Sequence, residues 1–146
     1  MQAPEPQGLP PAGARQPAPK PPLPAPARIR ARRDFLAANR GERIVTDSFI
    51  LLVHPRGHDQ MRVGFTVSKR IGTAVARNRA KRRLREAARL AVPAHGLPGA
   101  DHVFIARPRA GEQPFASLLA DAERALRRAC ERLARRGPRP ERAGQP

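Results

Sequence analysis

The sequence predicts a single small α+β domain with a strongly basic surface, and three observations lead there. Apolar residues change their period along the chain, from short β-prone runs at 48–53, 62–67 and 101–106 to helical spacing at 78–91 and 114–136. A length of 146 residues with 40% hydrophobic content supports one packed core rather than two. Finally, 29 Lys and Arg face 12 Asp and Glu, a formal charge of +17. Self-repulsion of that size opposes compaction, and a polyanionic partner offsets it.

Taken in order, residues 1–27 are rich in Pro, Ala and Gln without hydrophobic periodicity, and read as a disordered head. The folded domain is expected over 28–136, with a disordered tail at 137–146. Arg32-Arg33-Asp34-Phe35-Leu36-Ala37-Ala38 reads as a short basic helix ending near Asn39-Arg40-Gly41. Ser48 to Val53 is a β-prone run closed by the turn cluster His54-Pro55-Arg56-Gly57. Arg62 to Val67 alternates, with Val63, Phe65 and Val67 on one side, and the two runs are expected to pair as antiparallel neighbours. On a helix over 78–91, Ala80, Leu84, Ala87 and Ala91 share the packing stripe, while Lys81, Arg82, Arg85 and Arg89 spread over an arc that Arg79 and Arg83 extend. Asp101 to Ala106 reads as a buried strand. Pro114 to Arg136 is the clearest helix, with Leu118, Leu119, Ala122, Leu126, Ala129 and Leu133 on one face and Gly137-Pro138 as its stop. The order is helix, two or three strands, helix, strand, helix.

No apolar run approaches the roughly 18 residues that span a bilayer, and the start of the chain lacks the apolar core of a secretory signal. One cysteine, Cys130, allows no internal disulfide and suits a reducing compartment, so a cytoplasmic protein is expected. Nothing in the sequence points to protein-based catalysis. His54, His58, His95 and His102 have no metal-ligand spacing with Cys130 or with acids, no glycine-rich nucleotide loop appears, and no catalytic or metal-ligating residue is expected. Cys130 sits near the apolar stripe of the last helix and reads as core.

The stretch Ser68-Lys69-Arg70-Ile71-Gly72-Thr73-Ala74-Val75-Ala76-Arg77-Asn78-Arg79-Ala80-Lys81-Arg82-Arg83-Leu84-Arg85-Glu86 carries the functional signal. It leaves a strand, crosses a Gly-containing loop and enters a helix. A helix N-terminus has unpaired N–H groups and partial positive charge that favour phosphate. Cations there oppose the macrodipole by about 0.3–1 kcal/mol each. A bound polyanion removes that penalty, and only Glu86 offsets the positive run. Asn78 is placed to cap the helix or to bond a base edge or sugar hydroxyl.

This stretch, preceded by Val63-Gly64-Phe65-Thr66-Val67, closely resembles the signature of the protein subunit of bacterial ribonuclease P. Arg33-Asp34-Phe35 upstream and Val103-Phe104-Ile105-Ala106-Arg107-Pro108 downstream are similar to that family in the same order, so the resemblance spans roughly residues 28–135. It implies an αβββαβα fold with a four-stranded sheet and a left-handed β-α-β crossover, against the usual handedness. It implies partnership with a catalytic RNA and precursor tRNA, and removal of the 5′ leader of the precursor in a reaction that uses Mg²⁺ held mainly by RNA and substrate phosphates. By the same resemblance, Arg77, Asn78, Arg79, Lys81 and Arg82 lie against the catalytic RNA, with Ser68, Lys69, Arg70 and Arg85 extending that surface. A cleft between the sheet and the first helix would hold the single-stranded leader, with Phe35, Phe49, Arg32 and Arg33 as its candidate residues. Phe65 lies on a strand near the same cleft, and its alternation with Val63 and Val67 favours a place in the core instead.

The sequence departs from the family pattern at Asn39 and Leu52, where relatives often carry an aromatic and a tyrosine. Fewer rings predict weaker base stacking, or a shift of that contact toward hydrogen bonds and phosphates. The competing reading is a structural RNA-binding protein of ribosomal type, which would need the same basic surface but not the Asp34-Phe35 helix and strand pattern joined to it. Binding to a membrane surface fits poorly, because the last helix needs its apolar face for the core and lacks Trp and Tyr. No small-molecule substrate is expected.

Overall fold

A computed structural model of the chain describes residues 26–57 and 60–136. The sequence readings for residues 1–25 and 137–146 lie outside the described residues. The elements are β1 (Ala27–Arg28), α1 (Arg32–Ala37), β2 (Glu42–Val45), β3 (Phe49–Pro55), β4 (Arg62–Thr66), α2 (Ala74–His95), β5 (Ala100–Ala106) and α3 (Phe115–Arg136). Short 3₁₀ turns occupy Ala38–Arg40, Lys69–Ile71 and Pro108–Gly111.

Strand alternation divides the core in two. Phe49, Leu51 and Val53 of β3 join Val63, Phe104 and the buried residues of α2 and α3 in the main core. Leu52 and Val103 point the other way, toward Ile29 and Ala38, where Phe35, Ile50 and Ile105 pack beside them. α2 and α3 therefore cover one face of the sheet, and α1 lies over the other. The stripe Ala80, Leu84, Ala87 and Ala91 is buried as its spacing requires, and so are Leu118, Ala122, Leu126 and Ala129. Phe65 is half-buried: it stacks on Phe104 with ring centroids 5.7 Å apart at the edge of the main core, and it also borders the groove under α1.

Three expectations need correction. The sheet has five strands rather than four, in the order β1-β4-β5-β3-β2. The addition is β1, where Ala27 N–H donates to Met61 O at 2.8 Å and Ile29 N–H to Val63 O at 2.8 Å. Two residues are too few to carry a periodic signal. Secondly, β3 and β4 are not neighbours, because β5 lies between them, antiparallel to β3 and parallel to β4. The apolar run of β5 is covered on both faces, and a central position satisfies that. Adjacent parallel β4 and β5 are thus joined through α2, a β-α-β unit.

Thirdly, α2 begins at Ala74 instead of Asn78. Thr73 is its N-cap, with Oγ1 accepting from Ala76 N–H at 3.1 Å. Asn78 stands one turn inside the helix, so it does not cap. Pro93 falls in the last turn without ending it, and the helix runs on to His95. β2 was not resolved from the residues alone because its first inward position is Glu42, where an apolar residue would be expected. Arg132 and Arg136 of α3 pair with that carboxylate at 3.3 and 2.7 Å, which makes its burial tolerable.

Candidate nucleic-acid interface

The basic surface is built by two successive caps. Ser68 Oγ accepts from Arg70 N–H at 3.3 Å and starts the 3₁₀ turn at Lys69. Gly72, at φ +136°, then reverses the chain in a conformation L side chains rarely adopt, and Thr73 starts α2. Ser68, Lys69 and Arg70 are exposed on this turn, directly before the helix. At about 100° per residue, Asn78, Arg82 and Arg85 fall opposite the buried stripe of α2 and Lys81 falls at its flank, and all four are exposed. Arg77 is half-buried and donates to Gly72 O at 3.0 Å. The structure thus gathers the predicted residues onto one turn and the first three turns of one helix.

Arg79 and Arg83 differ from the rest. Arg79 Nε donates to Gly111 O at 2.8 Å while the residue stays exposed. Arg83 Nε donates to Ala110 O at 3.0 Å, and its guanidinium also reaches Gln113 O. Arg83 is therefore a half-buried strut tying α2 to the Pro108–Gly111 turn, rather than a member of the open charged arc.

On the other face, α1 and the sheet enclose an open groove of about 510 Å³. Arg32, Phe35 and Leu36 of α1, with Asn39 of the 3₁₀ turn that follows it, form one wall, and Leu52, Val103 and Ile105 form the floor. Phe35 and Arg32 are where they were expected. Arg33 is exposed but does not line the groove. Phe49 is a correction: it is fully buried on the opposite face of the sheet, edge-on to Phe104 with centroids 5.3 Å apart. In β3 the groove-facing positions are Ile50 and Leu52, and a one-residue difference in parity decides the face. Sequence reasoning missed Arg30, Leu36 and Thr66. Leu36 is 54% exposed, and its only sequence signal is an apolar residue on a helix too short to show a stripe.

α1 has two turns and holds its place through an ion-pair cluster. Asp34 Oδ1 meets Arg56 Nη1 at 3.1 Å, and Asp34 Oδ2 meets Arg62 Nη1 at 3.4 Å. Arg62 in turn grips the buried Asp101 in a two-point fork, Nε to Oδ1 at 2.8 Å and Nη2 to Oδ2 at 2.7 Å. Burial opposes ionisation of Asp34, but the hydrogen bond from Arg56 and the charges of Arg62, Arg56 and Arg33 outweigh it and hold its pKa below the usual carboxylate value. Next to Asp101, the buried His102 is pushed down to about 4, first by burial. Cys130 is half-buried, with its thiol pushed up by burial.

Among the described residues, no three or more His, Cys, Asp or Glu come together as metal ligands. Asp34 and Asp101, brought together beside α1, are already gripped by Arg56 and Arg62 and do not fit a cation. No helix among the described residues is long and apolar enough to cross a membrane.

Comparison with known proteins places this geometry. The family model described as Ribonuclease P matches residues 23–130, nearly three quarters of the chain. The chain belongs to the ribonuclease P protein family. The ribonuclease P protein component of Erythrobacter litoralis is 49% identical over 106 residues, covering 73% of this chain and 88% of that protein. That of Ruegeria pomeroyi is 51% identical over 104 residues, covering 68% and 83%. Among solved structures, the RNase P protein from Thermotoga maritima superimposes with a TM-score of 0.61 at 30% identity, covering 69% of this chain and 96% of that one. The RNase P protein from Staphylococcus aureus gives 0.59 at 28%, covering 73% and 92%. The ribosomal-type alternative is not favoured. Asn39 and Leu52, the two positions expected to depart from the family pattern, both line the groove, Asn39 exposed and Leu52 almost fully covered.

Proposed function

We propose that this subunit of ribonuclease P uses its two faces for two RNAs. The turn at Ser68–Arg70 and the exposed stripe of α2 bind the catalytic RNA, and the groove under α1 holds the single-stranded 5′ leader of precursor tRNA. Hydrolysis of the phosphodiester belongs to the RNA subunit with Mg²⁺, which phosphates hold. This chain contributes charge and position, lowering phosphate repulsion and fixing the leader relative to the scissile bond. No step is assigned to a protein-held metal, since Asp34 and Asp101, the carboxylates that meet beside α1, are committed to Arg56 and Arg62.

The observation that carries the reading is the separation of the two surfaces by the sheet, together with their meeting at one point. β4 ends at Thr66, which lines the groove, and two residues later the chain enters the basic turn at Ser68. A strand of RNA leaving the groove past Thr66 meets the start of α2 directly. Phe35 offers a ring for a base, worth about 1–3 kcal/mol with little sequence preference, and Arg30 and Arg32 stand beside it for phosphates. Such tolerance suits a general processing factor of the cytoplasm.

The test is cleavage of a precursor tRNA by the organism's catalytic RNA at low Mg²⁺, with and without the full chain. Restored cleavage at the mature 5′ end, with no cleavage by the protein alone, is the expected result. Cleavage indifferent to the protein overturns the reading, and so does cutting by the protein without RNA.

A further inference from the structure

A third surface, between α3 and β2, is accounted for neither by the core nor by the two RNA faces above. We propose that it is a second phosphate-binding surface, which docks a further segment of the same catalytic RNA; this rests on the reading of α2 as RNA-facing. Arg124, Arg128, Arg132 and Arg135 recur at i, i+4, i+8 and i+11 and form one stripe of α3, with Arg127 beside it. All five line the groove that α3 makes with β2. At 1.5 Å per residue, successive arginines stand about 4.5–6 Å apart along the axis, a spacing of the same order as that of phosphates along an RNA strand.

Part of this charge is already used. Arg124 pairs with Asp121, and Arg132 with Glu42. Arg127, Arg128 and Arg135 are exposed and make no ion pair or hydrogen bond among the described residues. The groove carries five arginines against three acids, Asp47, Asp121 and Glu131. The three unpaired arginines, on a helix already anchored through its apolar face, add nothing to folding, and a polyanion is their complement.

The catalytic RNA is the occupant favoured by continuity. Arg83 of α2 holds Gln113 O, Gln113 Nε2 donates to Asp121 Oδ2 at 3.1 Å, and Asp121 forms one end of the α3 groove. Arg109, exposed on the intervening turn, carries the positive surface across. RNA lying on α2 reaches α3 along the helical face of the sheet, whereas RNA in the leader groove lies on the opposite face.

The test measures binding of the full chain to the organism's catalytic RNA over a range of salt, with hydroxyl-radical footprints of the complex. Arg127→Ala/Arg128→Ala/Arg135→Ala is expected to lose about tenfold or more in affinity and to flatten the log–log salt slope by about 2 units. The corresponding triple Lys variant should recover most of both. Footprints lost by the triple Ala variant should map to nucleotides other than those exposed by Arg77→Ala/Arg79→Ala. Wild-type affinity and slope in the triple variant, with a loss in the Arg77/Arg79 variant, overturns this inference and leaves the reading of α2 standing. Wild-type binding by both variants overturns both. Identical footprints from the two variants also overturn the second surface. So does a triple variant that keeps RNA affinity but loses binding to phosphatidylglycerol vesicles, which would assign the arginines to a membrane.

Discussion

The ring of Phe35 occupies the space that a side chain at position 64 would need. A Cβ built on Gly64 would stand 2.5 Å from Phe35 Cε1 and 2.7 Å from Cζ, with Ile29 Cβ at 3.3 Å. The absence of a side chain at position 64 lets the edge of the ring come down onto β4, where Phe35 forms part of one wall of the groove under α1. Gly64→Ala is expected to lift the ring from this seat. Overpacking should cost about 1–3 kcal/mol of stability. Precursor tRNA with a leader should bind several-fold more weakly, while mature tRNA and the catalytic RNA bind as before. Equal weakening for precursor and mature tRNA would refute the assignment of the groove to the leader.

Arg82 and Arg83 are adjacent in sequence and separate in role. Arg83→Ala removes bonds to Ala110 O and Gln113 O and should destabilise the fold by about 1–3 kcal/mol in urea unfolding. Its effect on the salt slope of RNA binding should be small. Arg82 is exposed and opposite the core, so Arg82→Ala should leave stability within about 0.5 kcal/mol and reduce the salt slope by about 1 unit. The reverse pattern would mean that the strut and the RNA contact have been exchanged.

This pair also marks how far the sequence could be read. Helical spacing located the buried stripes of α2 and α3 and the exposed stripe opposite them, because a long helix repeats its pattern several times. It could not tell Arg83 from Arg82, since the carbonyls that capture Arg83 lie some thirty residues away on a turn without periodicity. Alternation gives two faces without saying which is which, so it does not place Phe49; the partners of Leu51 and Val53 decide that. The order of the sheet escaped for the same reason. A run such as Val103-Phe104-Ile105 reports that both faces are covered, but not which strands flank it.

Asp34 couples α1 to the sheet through Arg56 and Arg62. Asp34→Asn leaves both arginines with Asp101 as a partner, and the cluster is partly exposed, so the loss should be about 1–2 kcal/mol, less than for a fully buried pair. The readout that separates this role from general stability is binding. Affinity for leader-bearing precursor should fall as α1 loosens, while affinity for the catalytic RNA at a temperature well below unfolding should hold. Asp101→Asn, which breaks the fork to Arg62 inside the sheet, should cost more stability. If Asp34→Asn leaves leader affinity unchanged, the cluster does not position α1.

His102 makes stability depend on pH. Its Nε2 accepts from Leu97 N–H at 3.0 Å, and Nδ1 lies 3.2 Å from Arg62 O, so the neutral ring with the proton on Nδ1 satisfies both neighbours. A second proton on Nε2 would face the Leu97 N–H. Burial is the main cause that presses the pKa to about 4, against the pull of Arg62 O and the Asp101 charge. The unfolded chain takes up a proton near pH 6.5, whereas the folded chain resists until about pH 4. The unfolded state therefore binds more protons between these values, and stability is complete above pH 6.5 and falls as pH drops toward 4. Below that range the lowered pKa of Asp34 acts in the same direction, as its ion pairs are lost on protonation. Urea unfolding at pH 5 should give a free energy about 2 kcal/mol below that at pH 7. His102→Gln should be less stable at pH 7 but lose most of this difference, since the group that titrates is gone. A drop of the same size in His102→Gln would place the pH dependence elsewhere in the protein.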